Sequence, residues 1–217
     1  MNQDSRKIHM VRHGESQWNS ERRVQKNTEG VALSERGRRQ AELLGLRLKG
    51  MRFDHVFCSD VQRASETARI SLGESYPVLF SSELREIAFG EWEGRLVSEI
   101  EEETPGAMAR WFRSPSKVEI KGAEKFLDFH ARIVREIDRI TESTSGDILI
   151  ISHGGVICTW LTHILGMAPD DIWSFSLPNA SITTVMLEFR PRLRLLGDAH
   201  HLTGDSLGFD GMPSSIR

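Results

Sequence analysis

The segment Asp147–Ser152 reads DILIIS, an apolar run with no polar alternation. A strand of that kind has both faces buried, and sheets buried on both faces are typically the parallel sheets of α/β proteins. Other strand-like runs lie at Ile8–Arg12, His55–Ser59, Ile182–Phe189 and Leu193–Leu196. Segments of helical period separate several of them. Ser34 is placed to cap a helix that stops near Gly50, with Ala41, Leu44 and Leu48 on its apolar face. Asp60 is placed to cap a second helix that ends near Gly73. Phe126, Phe129, Ile133, Ile137 and Ile140 give one face to a helix over about 124–140. A buried helix is expected from Gly155 to Leu165, and helical turns over 97–112 are broken near Pro105 and Gly106. The alternation predicts an α/β single domain over 1–217, built on a mostly parallel sheet. The last two strands are expected to pair antiparallel around Pro191. The tail from about 204 to 217 is Gly-, Ser- and Asp-rich and is expected to be flexible.

Composition narrows the classes. The net charge is −3, with no basic excess to follow a nucleic-acid backbone, so no nucleic-acid partner is expected. No stretch is long and apolar enough for a bilayer span, and MNQDSRK leads into no apolar signal region, so the expectation is no membrane and a cytoplasmic compartment. Cys58 and Cys158 lie in apolar runs and read as buried, reduced thiols. His200 and His201 have no Cys or carboxylate at ligand spacing, so no metal is expected there.

Ligands of parallel α/β sheets bind beyond the carboxyl ends of the strands. Three proposed strands end in Arg12-His13-Gly14-Glu15, in Ser59-Asp60 with Arg63 one helical turn on, and in Ser152-His153-Gly154-Gly155. Parallel neighbours would bring two histidines and two arginines to one edge. Guanidinium groups grip phosphate through paired, charge-assisted bonds, and a neutral imidazole is a competent nucleophile towards phosphorus. Any one of these residues alone would be read as structural or solvated.

The segment Val11-Arg12-His13-Gly14-Glu15-Ser16-Gln17-Trp18-Asn19 resembles the signature of the histidine phosphatase superfamily, which includes cofactor-dependent phosphoglycerate mutases and many small phosphatases. Leu33–Gly37 with Gln40-Ala41, Ser59-Asp60 with Arg63-Ala64 and Thr67-Ala68, Leu84–Glu86 with Phe89–Gly94, Ser152–Gly155, and Asn179–Ser181 agree with further family segments in order. Together they span about residues 8–190.

The resemblance implies a six-stranded sheet with helices on both faces, phosphoglycerate mutase-like, with no metal or other cofactor and often a homodimer. It implies that His13 attacks phosphorus, that Arg12, Arg63 and His153 surround the transferring oxygens, and that Glu86 is the proton donor to the leaving group. Asn19 would touch phosphate, and Gln25 and Gly154 would shape the substrate pocket. The stretch of about 97–122 would be a lid-like insertion. The implied partner is a small phosphorylated metabolite.

Two outcomes share this chemistry. RHGESQWN is typical of the mutases, whereas IAFGEWEG after Glu86 resembles the phosphatase pattern. Mutases tend to carry an Arg and a Tyr after the acid, and here Ile87 stands there. The segment from Val97 to Gly122 is short for a mutase lid, and Gln25 stands where many phosphatases have Gln and mutases a small residue, while Lys26 departs from both patterns. The expectation is a metal-independent phosphomonoesterase working through phosphohistidine. A mutase is the alternative, and a phospho-ligand binder without turnover is a further one.

Overall fold

The computed structural model describes residues 6–25, 27 and 30–202. The tail expected from about 204 and Lys26 lie outside them. In chain order the elements are β1 (Arg6–Arg12), α1 (Gln17–Ser20), α2 (Glu35–Leu48), β2 (His55–Ser59), α3 (Gln62–Leu72), β3 (Leu79–Ser81), α4 (Val97–Glu103), α5 (Ala107–Arg113), α6 (Phe126–Ser143), β4 (Ile148–Ser152), α7 (Gly154–Ile164), β5 (Ile182–Leu187) and β6 (Arg192–Asp198).

One six-stranded sheet runs in the order β3-β2-β4-β1-β5-β6. The first four strands are parallel neighbours, and β5 and β6 continue the sheet antiparallel. DILIIS is the source of β4, which lies between β2 and β1 and is buried along its whole length.

Side chains of a strand alternate between faces, so each strand feeds two cores. Ile8, Met10, Phe57, Ile148, Ile150 and Val185 pack with Phe129, Ile133 and Ile137 of α6 and Trp160 and Leu161 of α7. Val11, Val56, Cys58, Leu149, Ile151 and Ile182 pack with Leu44 and Leu48 of α2 and Ala64 and Ala68 of α3. Helices thus cover both faces. The two cysteines fall in different cores and are free, and burial pushes the Cys158 thiol up to about 12. Among the described residues no helix is long and apolar enough to cross a membrane.

One local expectation needs correction. α3 starts one residue late, at Gln62 behind Val61, without a side-chain cap. Asp60 instead takes both Nε and Nη2 of Arg85 at 2.6 Å. That ion pair competes for the carboxylate that the cap would have used. The edge strand β3 was not expected from hydrophobic pattern at all. It has three residues, and Leu79 and Phe80 are more exposed than buried, so no apolar periodicity marks it.

The segment 97–122 folds as α4, α5 and a turn of 3-10 helix at Pro115–Lys117. Trp111 packs edge-on against Phe89 and Phe126, and Ser116 bonds to Asp170 through its N–H (2.8 Å) and hydroxyl (2.7 Å). The segment is tied both to the loop after Glu86 and to the 3-10 helix Pro169–Ser174 beyond α7.

Candidate active site

In β1 and β4 the register pairs Arg12 with Ser152, so His13 and His153 leave the sheet side by side. Their rings meet edge to face with centroids 5.1 Å apart. The His13 N–H donates to Ser152 O (2.9 Å), and its carbonyl accepts from the Ala180 N–H (3.1 Å) and Asn179 Nδ2 (3.0 Å). The Gly14 N–H donates to Thr67 Oγ1 on α3 (3.0 Å), and the Glu15 N–H to Gln40 Oε1 on α2 (2.8 Å). The loop is therefore fixed from three directions. Gly37, in the first turn of α2, makes this possible, because a Cβ there would stand 1.9 Å from Glu15 O.

Arg63 lies in the first turn of α3 with no exposed surface. Its Nε–H donates to His13 Nε2 (3.2 Å), and its Nη2 donates to His153 Nδ1 (3.1 Å). A guanidinium has no acceptor, and a carbonyl has no donor. The tautomers follow. His13 carries its proton on Nδ1, which donates to Gly14 O (2.7 Å), and leaves the Nε2 lone pair facing the cluster. His153 carries its proton on Nε2, which donates to Ser59 Oγ at the end of β2 (2.9 Å). Burial first, and then the Arg63 charge, hold both imidazoles neutral well below the ordinary 6.5. Burial also pushes Arg63 down to about 10, which still leaves it cationic near neutral pH.

Arg12 donates from Nη1 to Leu177 O (2.5 Å) and lies across the start of α7, with its Nε 3.5 Å from where a Cβ on Gly154 would be. Glu86 approaches the same helix start. Its Oε2 accepts from the Gly155 N–H (2.9 Å) and its Oε1 from the Ile87 N–H (3.1 Å). A Cβ on Gly155 would come within 2.3 Å of Oε1, so glycine is the residue that admits the carboxylate. Burial raises the Glu86 pKa, and the two N–H donors and the arginines pull against it without cancelling it.

Asn19 and Gln25 are one step removed from this cluster. Asn19 forms a capping box with Ser16 at α1, and its Oδ1 lies 3.4 Å from Asn179 Nδ2. Gln25 Oε1 is 3.0 Å from Ser16 Oγ. Asn19 thus meets Asn179, which donates to the His13 carbonyl, and Gln25 shares Ser16 with Asn19. Sequence reading assigned no role to Ser59, Thr67 or Asn179, although all three stand in the motif segments that carried the resemblance. Among the described residues no group of three or more His, Cys, Asp or Glu is gathered as a metal site.

The arrangement offers one nucleophilic lone pair, two cations, a second neutral imidazole and a carboxyl group with raised pKa. A family model described as histidine phosphatase superfamily (branch 1) matches residues 8–198. Phosphoserine phosphatase 1 of Hydrogenobacter thermophilus is 31% identical over 85% of this chain and 88% of that protein. Phosphoglycerate mutase-like protein 4 of Arabidopsis thaliana is 35% identical over 71% of this chain and 69% of that protein. The crystal structure of the α-ribazole phosphatase from Shigella flexneri superposes with a TM-score of 0.80 at 30% identity, covering 89% of this chain and 96% of that one.

Proposed function

The chain belongs to the histidine phosphatase superfamily, and from that premise we propose a metal-independent phosphomonoesterase that acts on a small phosphorylated metabolite through phosphohistidine on His13. The carrying observation is the His13 tautomer. With Nδ1–H committed to Gly14 O, the Nε2 lone pair is the one available to attack, and it already faces Arg63.

In the first half-reaction Nε2 bonds to phosphorus while the bond to the leaving oxygen breaks. Arg63 and Arg12 turn their N–H groups to the equatorial oxygens, where charge accumulates. His153 spends both ring nitrogens on Arg63 and Ser59. It aligns Arg63 and contributes directly once an arriving dianion offsets the penalty on its charged form. Glu86 gives its proton to the leaving oxygen, and its raised pKa suits that role. In the second half-reaction Glu86 takes a proton from water, the water oxygen bonds to phosphorus, and the bond to Nε2 breaks. Free His13, protonated Glu86 and inorganic phosphate result.

Hydrolysis is favoured over mutase action by Ile87. Its side chain is buried in the core, and only its N–H serves the site, so it offers no cation to a substrate carboxylate. The mutase-like signature RHGESQWN keeps the transfer outcome as the second reading.

The test is phosphate release in EDTA from phosphoserine, 3-phosphoglycerate, a sugar phosphate, a nucleotide and 4-nitrophenyl phosphate, beside His13→Ala. Release that survives chelator and vanishes in the variant, with label trapped on His13, is expected. A requirement for Mg²⁺ would refute the mechanism. Conversion of 3-phosphoglycerate to its 2-isomer with added bisphosphoglycerate, without net release, would favour the mutase.

A further inference from the structure

Glu86 is held at both ends by different helices, and one holder belongs to no motif. Arg132, on α6, has its side chain mostly buried (15% exposed) and over the Phe129 ring, with the guanidinium carbon 5.1 Å from the ring centroid. A guanidinium has five N–H groups. Here Nε and Nη2 each donate to Glu124 at 2.8 Å. Nη1 donates to Glu83 O (2.7 Å) and Arg85 O (3.1 Å), and the second N–H of Nη2 reaches Glu86 O (3.4 Å). All five donors have acceptors, and three of those acceptors are carbonyls of the turn that carries Glu86. The Glu124 N–H donates to Ala88 O (2.9 Å), so the brace holds the chain on both sides of Glu86.

Three carbonyls held by one rigid planar group fix the direction in which the Glu86 side chain leaves the backbone. Gly155 and Ile87 then receive its carboxylate. A lysine has three donors on a compact head and cannot reproduce the fork. General-acid transfer depends on such placement, since a shift of about 1 Å can lower a rate by roughly 100-fold.

We propose that Arg132, braced by Glu124, is a positioning residue for the proton-transfer step, fixing the 83–86 turn so that Glu86 meets the leaving oxygen. This rests on the reading of Glu86 as the acid.

The experiment compares kcat/KM of Arg132→Lys and Glu124→Gln on an alkyl phosphomonoester and on 4-nitrophenyl phosphate, whose leaving group needs little protonation. Glu86→Gln and the Glu86→Gln/Arg132→Lys double variant run beside them, and each melting temperature is recorded. Losses of roughly 10–100-fold on the alkyl ester and under about threefold on the nitrophenyl ester are expected. Arg132→Lys should add no selectivity in the Glu86→Gln background. Equal losses on both esters in a folded variant, or none, overturn the proposal, while a selective loss in Glu86→Gln leaves the acid assignment standing. Equal losses in Glu86→Gln itself remove that assignment, and the role of Arg132 with it. Should Arg132→Lys not fold, the same comparison on Glu124→Gln decides.

Discussion

The Nε–H of Arg63 points at Nε2 of His13 from 3.2 Å, so a fixed cation occupies the direction from which His13 would meet phosphorus. Burial first, and then the charge of this arginine, keep the imidazole unprotonated.

Arg63→Lys should lower kcat/KM by about 100- to 1,000-fold for every phosphomonoester, whatever its leaving group. Lysine cannot serve both imidazoles and the transferring oxygens. Phosphate-release kinetics across good and poor leaving groups check this, and a leaving-group-selective loss would speak against a role on the transferring oxygens.

The titrations of His13 and His153 should move upward, toward 6.5, in Arg63→Met. Burial is the first cause of their depression and the Arg63 charge the second, so removing the charge relieves part of it. Imidazole NMR titration reads this directly, and unchanged or lower values would show that the charge does not act on them.

Acidification should destabilise the fold. The pKa values of His9, His13, His130, His153 and His201 are all lowered in the folded protein, first by burial in each case. Below about pH 6.5 the unfolded chain takes up protons that these sites refuse, so their contribution is in place above that pH and is lost as pH falls through the depressed values. Glu86 acts in the opposite sense, because its raised pKa gives stability at low pH that fades as pH rises. Calorimetry should show Tm falling from pH 7 to pH 5, the window in which the imidazoles of the unfolded chain take up protons. A flat profile would contradict the account.

Gly37→Ala should cost about 3 kcal/mol by urea denaturation, and should lower activity as well. Its Cβ meets Glu15 O at 1.9 Å, and backbone cannot rotate aside as a side chain could. Wild-type stability in this variant would mean that the α2 start is free to slide.

The strand ends were legible because a wholly apolar β4 has few places to lie other than the middle of a parallel sheet. Once β1, β2 and β4 are neighbours, His13, Arg63 and His153 must converge. The tautomers were not legible, since they depend on Gly14 O and on which nitrogen Arg63 faces. Arg132 was also hidden. On α6 it reads as one more cation in a charged helix, and its partners Glu83, Arg85 and Glu86 are backbone carbonyls more than 40 residues away. Asp60 misled for a related reason, because its tie to Arg85 outcompeted a local cap.

The two faces of the sheet brace different parts of this cluster. The loop after β1 that carries His13 is clamped by Gly37 and Gln40 of α2 and by Arg63 and Thr67 of α3, on one face. Glu86 is anchored by Arg132 of α6 and Gly155 of α7, on the other. A change buried in α2 or α3 therefore reaches His13 before Glu86, and a change in α6 reaches Glu86 before His13.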